Sequence, residues 1–88
     1  MWTGIQWTGT VAAGVSDQFF TFGWPAEWHV VWYVMPTTVQ PGAPQLDWDV
    51  AVERGDEGHC TYWITVTNLT TVPVDFEGRF AEIGRAHV

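Results

Sequence analysis

Residues 45–69 read QLDWDVAVERGDEGHCTYWITVTNL, and this stretch decides the fold class. Apolar and polar side chains alternate over residues 45–54 and again over residues 60–69, which is the period of a strand with one buried face. Residues 55–58 between them, Gly-Asp-Glu-Gly, have the composition of a tight turn. The stretch therefore predicts an antiparallel β-hairpin.

The alternation also divides the side chains of this hairpin between two faces. The inner face is predicted to carry Leu46, Trp48, Val50, Val52, Tyr62, Ile64 and Val66. The outer face is predicted to carry Asp47, Asp49, Ala51, Glu53, Thr61, Trp63, Thr65 and Thr67. A tryptophan among short polar groups is therefore expected on a surface that meets water.

Four further segments show the pattern of short strands between Gly, Pro and turn residues. They are residues 3–12, 17–23, 29–35 and 72–83. Residues 36–44 hold three prolines, cannot sustain a hydrogen-bonded ladder, and are expected to cross between two sheets. These elements predict an all-β, small six-stranded antiparallel sandwich of Greek-key or jelly-roll type over residues 1–88. A small closed barrel is the alternative, and residues 84–88 are expected to fray.

The aromatic residues of the other strands are assigned to faces in the same way. The predicted inner set is Ile5, Trp7, Gly9, Val11, Phe20, Phe22, Val30, Trp32, Val34, Val74, Phe76 and Phe80. The set left for outer faces and loops is Trp2, Phe19, Trp24, Trp28, Val31, Tyr33, Met35 and Trp63. Seven tryptophans in 88 residues exceed what two small sheets are expected to enclose. The outer set should therefore meet loops, a ligand or another subunit.

Composition restricts the partners that this chain can have. Ten acidic residues against three arginines and no lysine give a net charge of -7, which disfavours nucleic acid and anionic membranes. The single cysteine excludes an internal disulfide, so stability must come from packing or from association between chains. No signal peptide or transmembrane run is visible, and cytoplasmic localisation is the default expectation.

The inventory of reactive side chains is thin, so we expect no enzymatic activity and no cofactor. Ser16 is the only serine, and the three histidines are scattered along the chain. His59 and Cys60 are adjacent on a strand, which sends their side chains to opposite faces. Acidic residues such as Asp47 and Asp49 could bind Ca²⁺, but outward acids on a half-exposed strand are usually a solvated face. Asn68-Leu69-Thr70 matches the sequon for N-glycosylation.

These observations predict a non-catalytic binding module, lectin-like and presented on a homo-oligomer. An exposed indole stacks on the apolar face of a sugar while nearby polar groups bind its hydroxyls. The predicted ligand-binding residues are Trp63, Trp24, Trp28, Asp47, Asp49 and Thr65. The alternative is a structural protein whose aromatic faces are buried only against copies of itself. A surface binder of neutral lipid is a third possibility.

Overall fold

The computed structural model describes residues 1–84, and in that range it contains six β-strands and no helix. The strands are β1 (Trp2–Val11), β2 (Ser16–Pro25), β3 (Val30–Pro36), β4 (Leu46–Arg54), β5 (His59–Asn68) and β6 (Val74–Glu82). All six strands predicted from the alternation are confirmed. The prediction of a frayed tail over residues 84–88 falls, except for Gly84, outside the described residues. None of residues 1–84 belongs to a helix that could cross a membrane.

The strands form two antiparallel three-stranded sheets, which confirms the sandwich and rules out the closed barrel. Sheet A has the order β1-β6-β3 and sheet B has the order β2-β5-β4. Only the β4–β5 hairpin joins neighbouring strands within one sheet, so every other connection crosses between the sheets. The proline-rich segment after β3 is one of these crossings, as its sequence predicts.

The core lies between the two sheets and is built largely from the alternating residues. Its buried members are Val11, Trp24, Trp32, Val34, Leu46, Ile64, Val66, Val74, Phe76 and Phe80. Asn68 and Glu82 are the buried polar residues of the described chain, and Asn68 is only 1% exposed. Its amide nitrogen donates to the backbone carbonyls of Val11 (2.9 Å) and Val72 (2.8 Å), and its oxygen accepts from the Thr70 backbone N–H. Asn68 therefore ties the end of β5 to the end of β1.

A β-bulge in β1 changes which residues of that strand face inward. The register shifts between Ile5, opposite Arg79, and Trp7, opposite Gly78, so that Gln6 is the extra residue. Trp7 packs against the core as predicted. The prediction for Ile5 is wrong: it lies on the outer side of the bulge and is 55% exposed.

The two faces of β2 are the reverse of the prediction. Phe19 packs against the core opposite Ile64, whereas Phe20 and Phe22 are 60% and 72% exposed. β2 also continues to Pro25 instead of ending at Gly23. The extra residue of a second bulge lies at Gly23, whose φ of 81° suits glycine, and it turns Trp24 inward.

Glycines on the inner faces make room for the large rings. A Cβ on Gly78 would lie 2.3 Å from the Trp7 ring, and a Cβ on Gly4 or Gly9 would lie 3.0 Å from a phenylalanine ring. The first distance excludes a larger residue at position 78 unless the Trp7 ring moves, whereas the 3.0 Å distances would require each phenylalanine ring to shift by a few tenths of an ångström. The sheets can therefore enclose more aromatic volume than a count of apolar residues suggests.

The inner-face side chains in the C-terminal half of β4 are more exposed to solvent than the alternation predicts. Leu46 and Trp48 pack into the core, as expected. Val50 and Val52 lie opposite Ile64 and Tyr62, on the inner side of sheet B, yet they are 43% and 64% exposed. Their predicted burial is wrong because sheet A does not extend over this end of β4.

Candidate functional site

The outer face of sheet B presents three strands in register, with β5 in the centre. Thr67 lies between Ser16 and Asp47, and Thr65 lies between Gln18 and Asp49. The next row places Trp63 of β5 between Phe20 of β2 and Ala51 of β4. We call this surface, formed by Ser16, Gln18, Phe20, Phe22, Thr61, Trp63, Thr65, Thr67, Asp47, Asp49, Ala51 and Glu53, the outer platform.

Three aromatic rings form a continuous strip on the outer platform. The Phe20 ring lies 5.1 Å from the Trp63 ring at an interplanar angle of 30°. The Phe22 ring continues the strip, 6.3 Å from Phe20 at 27°. Rings at these distances and angles stack partly on one another, so each covers part of its neighbour's face. We call Phe20, Phe22 and Trp63 the aromatic strip.

Polar groups line the strip on the β4 and β5 sides. The indole N–H of Trp63 donates to Glu53 Oε1 at 3.1 Å, which fixes the orientation of the ring. Ala51 stands directly opposite Trp63, so Asp49 and Glu53 lie diagonally to either side of the indole. Diagonal neighbours on one face of a sheet are about 7 Å apart, within reach of one bound sugar ring. Stacking and hydrogen-bonding groups therefore coexist over a small area.

The structure brings together only part of the predicted ligand-binding set. Trp63, Thr65, Asp47 and Asp49 share the outer platform. Trp24 does not, because it is 9% exposed and its ring makes an edge contact with Trp32 at 5.1 Å. The expectation of an exposed Trp24 is therefore wrong.

Trp28 is also separated from the outer platform. It is half-buried against the core, 6.2 Å from the Trp24 ring and 6.0 Å from the Trp2 ring. Trp2 lies in turn 5.0 Å from Phe80 and remains 54% exposed. These indoles form an aromatic cluster at one end of the sandwich, so three of the four tryptophans expected outside the core pack together or into it.

Phe20 and Phe22 are the platform residues that the face assignment missed. The signal available in the sequence was the consecutive pair Phe19-Phe20, which shows that β2 carries an aromatic on each face. The strand alternation cannot decide which of the two faces turns inward in such a strand. The packing of Phe19 against Trp7 (5.5 Å) and Phe76 (5.6 Å) decides it.

The outer face of sheet A has a different character. Ile5, Val31 and Met35 are 55%, 51% and 39% exposed on it. At its centre Arg79 pairs with Glu77 at 2.7 Å. The Glu77 carboxylate raises the pKa of the Arg79 guanidinium through their hydrogen bonds, and each side chain of the pair offsets the charge of the other.

A cavity of about 340 Å³ opens at the edge of the sandwich where β1 faces β2. It is lined by Gln6, Trp7, Phe19, Phe20, Thr21 and Ile64. The Gln6 amide nitrogen donates to Thr21 Oγ1 across this opening, at 3.3 Å. The bulge that displaces Ile5 is therefore the feature that places a glutamine beside the cavity.

Reactive side chains do not assemble into a larger group in the described part of the chain. No three His, Cys, Asp or Glu side chains of residues 1–84 lie close enough to hold a metal ion. Cys60 is a buried free thiol. His59 and Asp56 pair at 3.1 Å in the β4–β5 turn, and the Gly58 backbone N–H followed by His59 lowers the pKa of Asp56.

The asparagine of the glycosylation sequon, Asn68, is buried and hydrogen-bonded within the fold. Both hydrogens of the Asn68 amide are used in its bonds to Val11 and Val72, and the side chain is 1% exposed. The folded chain therefore does not offer Asn68 for modification.

Comparisons with protein-family models, with curated proteins and with solved structures found no match to this chain.

Proposed function

We propose that this protein is a non-catalytic carbohydrate-binding module that uses the outer platform, with Trp63 and Phe20 as its stacking residues. The observation that carries the proposal is the aromatic strip, in which Phe20 and Phe22 are exposed and Trp63 is half-buried, and which lies in register beside hydroxyl and carboxylate groups. Apolar faces of sugars stack on such rings while their hydroxyls bind the flanking groups.

The exposure of the strip supports a role outside the monomer's own stability. Phe20 and Phe22 remain 60% and 72% exposed although the core accepts five indoles wholly or in part. Exposed aromatic patches on a folded domain usually mark a binding surface. The carboxylates beside the strip favour neutral over anionic ligands.

Isothermal titration with a panel of neutral oligosaccharides tests the proposal. Trp63→Ala and Phe20→Ala should each weaken binding roughly tenfold, since one aromatic stack contributes about 1.4 kcal/mol. Leu69→Ala is the control: it removes a 54% exposed apolar side chain outside the platform and should change nothing. Lack of binding across the panel at millimolar sugar, or equal binding by Trp63→Ala, would overturn the proposal.

Self-association is the second candidate function, and the outer face of sheet A favours it. Ile5, Val31 and Met35 are exposed around the neutralised Arg79–Glu77 pair. The outer platform carries three carboxylates, so two platforms would repel one another. Among the described residues, the outer face of sheet A carries only Asp75 besides the Arg79–Glu77 pair, so two sheet A faces repel one another less. A second copy of this chain is therefore the partner that fits sheet A.

The size of this face sets the strength that we expect. Three strands about 4.8 Å apart and nine residues long cover roughly 400 Å² per subunit, or about 800 Å² in total, which is below the range of stable interfaces and fits only a weak contact. A weak dimer would present two outer platforms and gain avidity for a repeating glycan. Sedimentation equilibrium should show a dimer at high concentration that Val31→Asp abolishes and Val39→Asp, in an exposed loop, preserves. A monomer at all concentrations would exclude it.

A further inference from the structure

The cavity between β1 and β2 has an apolar floor and a polar mouth. Trp7, Phe19 and Ile64 supply the floor, and all three belong to the core or pack against it. Gln6 and Thr21 supply the polar groups, and they are joined by a hydrogen bond of 3.3 Å. A ligand group with both an apolar and a polar part fits this division.

The hydrogen bonds of Thr21 leave its hydroxyl proton available. Thr21 Oγ1 accepts from Gln6 Nε2 and from the indole N–H of Trp24, which lies at 3.0 Å. A hydroxyl has two acceptor positions and one donor, so both acceptor positions are occupied and the donor is not. Gln6 uses its nitrogen in this pair, which leaves its carbonyl oxygen to accept a bond. The mouth therefore offers one donor and one acceptor side by side.

The cavity lies beside the outer platform. Trp63 stands on the central strand β5 and Phe20 on the edge strand β2, so the line from one ring to the other runs towards the edge of sheet B. The cavity opens at that same edge, and Phe20 contributes to both its lining and the aromatic strip. A glycan that stacks on Trp63 and then on Phe20 therefore extends towards the cavity mouth.

We propose that the cavity accepts the acetamido group of an N-acetylated amino sugar, which extends the proposed function by naming its substrate class and rests on it. The methyl group would lie on the apolar floor against Phe19 and Ile64. The acetamido carbonyl accepts from the Thr21 hydroxyl, which Gln6 holds in place through its own hydrogen bond to Thr21 Oγ1. A glucose-type sugar has only a hydroxyl at that position and cannot fill the floor.

The test compares two neutral oligosaccharides that differ only in this group, N-acetylchitotetraose and cellotetraose, by isothermal titration. The wild-type chain should bind the acetylated sugar at least about tenfold more tightly, a difference of about 1.4 kcal/mol. Gln6→Ala, at an exposed position, should reduce this preference to about threefold or less with cellotetraose binding retained. Thr8→Ala, on the outer face of the same strand, should keep the full preference. Equal affinities of the wild type for the two sugars would overturn the inference and leave the platform proposal intact.

A probe that does not need the platform separates the two proposals. N-methylacetamide carries the same amide and methyl groups without a sugar ring. We expect it to shift the Trp7 indole N–H and Gln6 side-chain amide resonances in the wild-type spectrum at tens of millimolar, a range typical of so small a ligand. Such shifts without binding of any sugar would support the cavity and reject the platform. Unchanged spectra together with no acetyl preference would reject the cavity itself.

Discussion

Replacing Gly78 with alanine tests whether the stability of the core depends on the Trp7 ring packing directly against the backbone of Gly78. The φ angle of Gly78 is not in the left-handed region, so alanine can adopt its backbone conformation. The new Cβ, however, would lie 2.3 to 2.4 Å from three carbon atoms of the Trp7 ring. To restore ordinary contact the ring must retreat by roughly 1 Å.

The surroundings of Trp7 oppose that movement. Its ring lies 5.5 Å from Phe19, 6.2 Å from Trp32 and 6.1 Å from Phe76, so the displacement is transmitted to three other core rings. Overpacking of this kind costs about 3 kcal/mol, at the upper end of the usual range. For a domain of this size the midpoint of thermal unfolding should fall by about 12 to 24 °C.

Thermal and urea unfolding followed by near-ultraviolet circular dichroism measure this loss. Gly55→Ala is the matched control, because no atom lies within 4 Å of its added Cβ, and its stability should stay within about 0.5 kcal/mol of the wild type. Combining Gly78→Ala with Trp7→Phe should recover at least about 1 kcal/mol relative to additivity, since the smaller ring leaves room. A Gly78→Ala variant as stable as Gly55→Ala, or strict additivity with Trp7→Phe, would refute the proposed packing.

Three further predictions concern polar groups. Asn68→Ala removes the bonds of its amide to the Val11 and Val72 carbonyls and to the Thr70 backbone N–H, and should lower the free energy of unfolding by about 3 kcal/mol in urea titrations. A loss below about 1 kcal/mol would contradict its structural role. The backbone N–H of Gly58 and, after it, His59 lower the pKa of Asp56. The stabilisation that these contacts give the turn is therefore present above the ordinary pKa of aspartate and is lost as the pH falls through the lowered pKa of Asp56. Carboxyl NMR titration should show this low value, and an ordinary one would disprove the contact. Glycans bearing uronic or sialic acid should bind about fivefold more weakly than neutral glycans, because the carboxylates of the outer platform repel them. Asp49→Asn and about 1 M salt should each reduce this difference in affinity. Equal affinities for acidic and neutral glycans would contradict this repulsion.

The hairpin of β4 and β5 shows what sequence alone can predict. Every second residue of β5 from Thr61 to Thr67 is polar or Trp63, so the alternation fixes which face meets water. The register of the strands and the position of Trp63 beside Asp49 follow once the turn is recognised. The part of the outer platform that β4 and β5 contribute was therefore predictable from the sequence.

The faces of β2 were not predictable in the same way. Phe19, Phe20, Phe22 and Trp24 place aromatic residues on both sides of the strand, and a bulge at Gly23 then changes the phase. Which side is buried depends on contacts with Trp7 and other residues distant in sequence. Local alternation contains no information about such contacts.

The count of tryptophans correctly predicted that some indoles lie outside the core, but it assigned some of the wrong residues to that position. It predicted four indoles outside the core, whereas Trp24 is buried and Trp28 is half-buried. The inner glycines, above all Gly78, provide the missing volume. Glycine in the interior of a strand usually weakens it, whereas here Gly78 is the packing partner of a large ring.

The position of Trp63 in a sugar complex tests the central claim most directly. Each of the seven tryptophans contributes an indole N–H resonance, and these can be assigned by single Trp→Phe substitutions. During titration with N-acetylchitotetraose, the Trp63 resonance should shift most, since its ring lies on the outer platform and its N–H bonds to Glu53. Shifts confined to Trp2 and Trp28, at the other aromatic cluster, or a spectrum unchanged at saturating sugar, would contradict binding on this face.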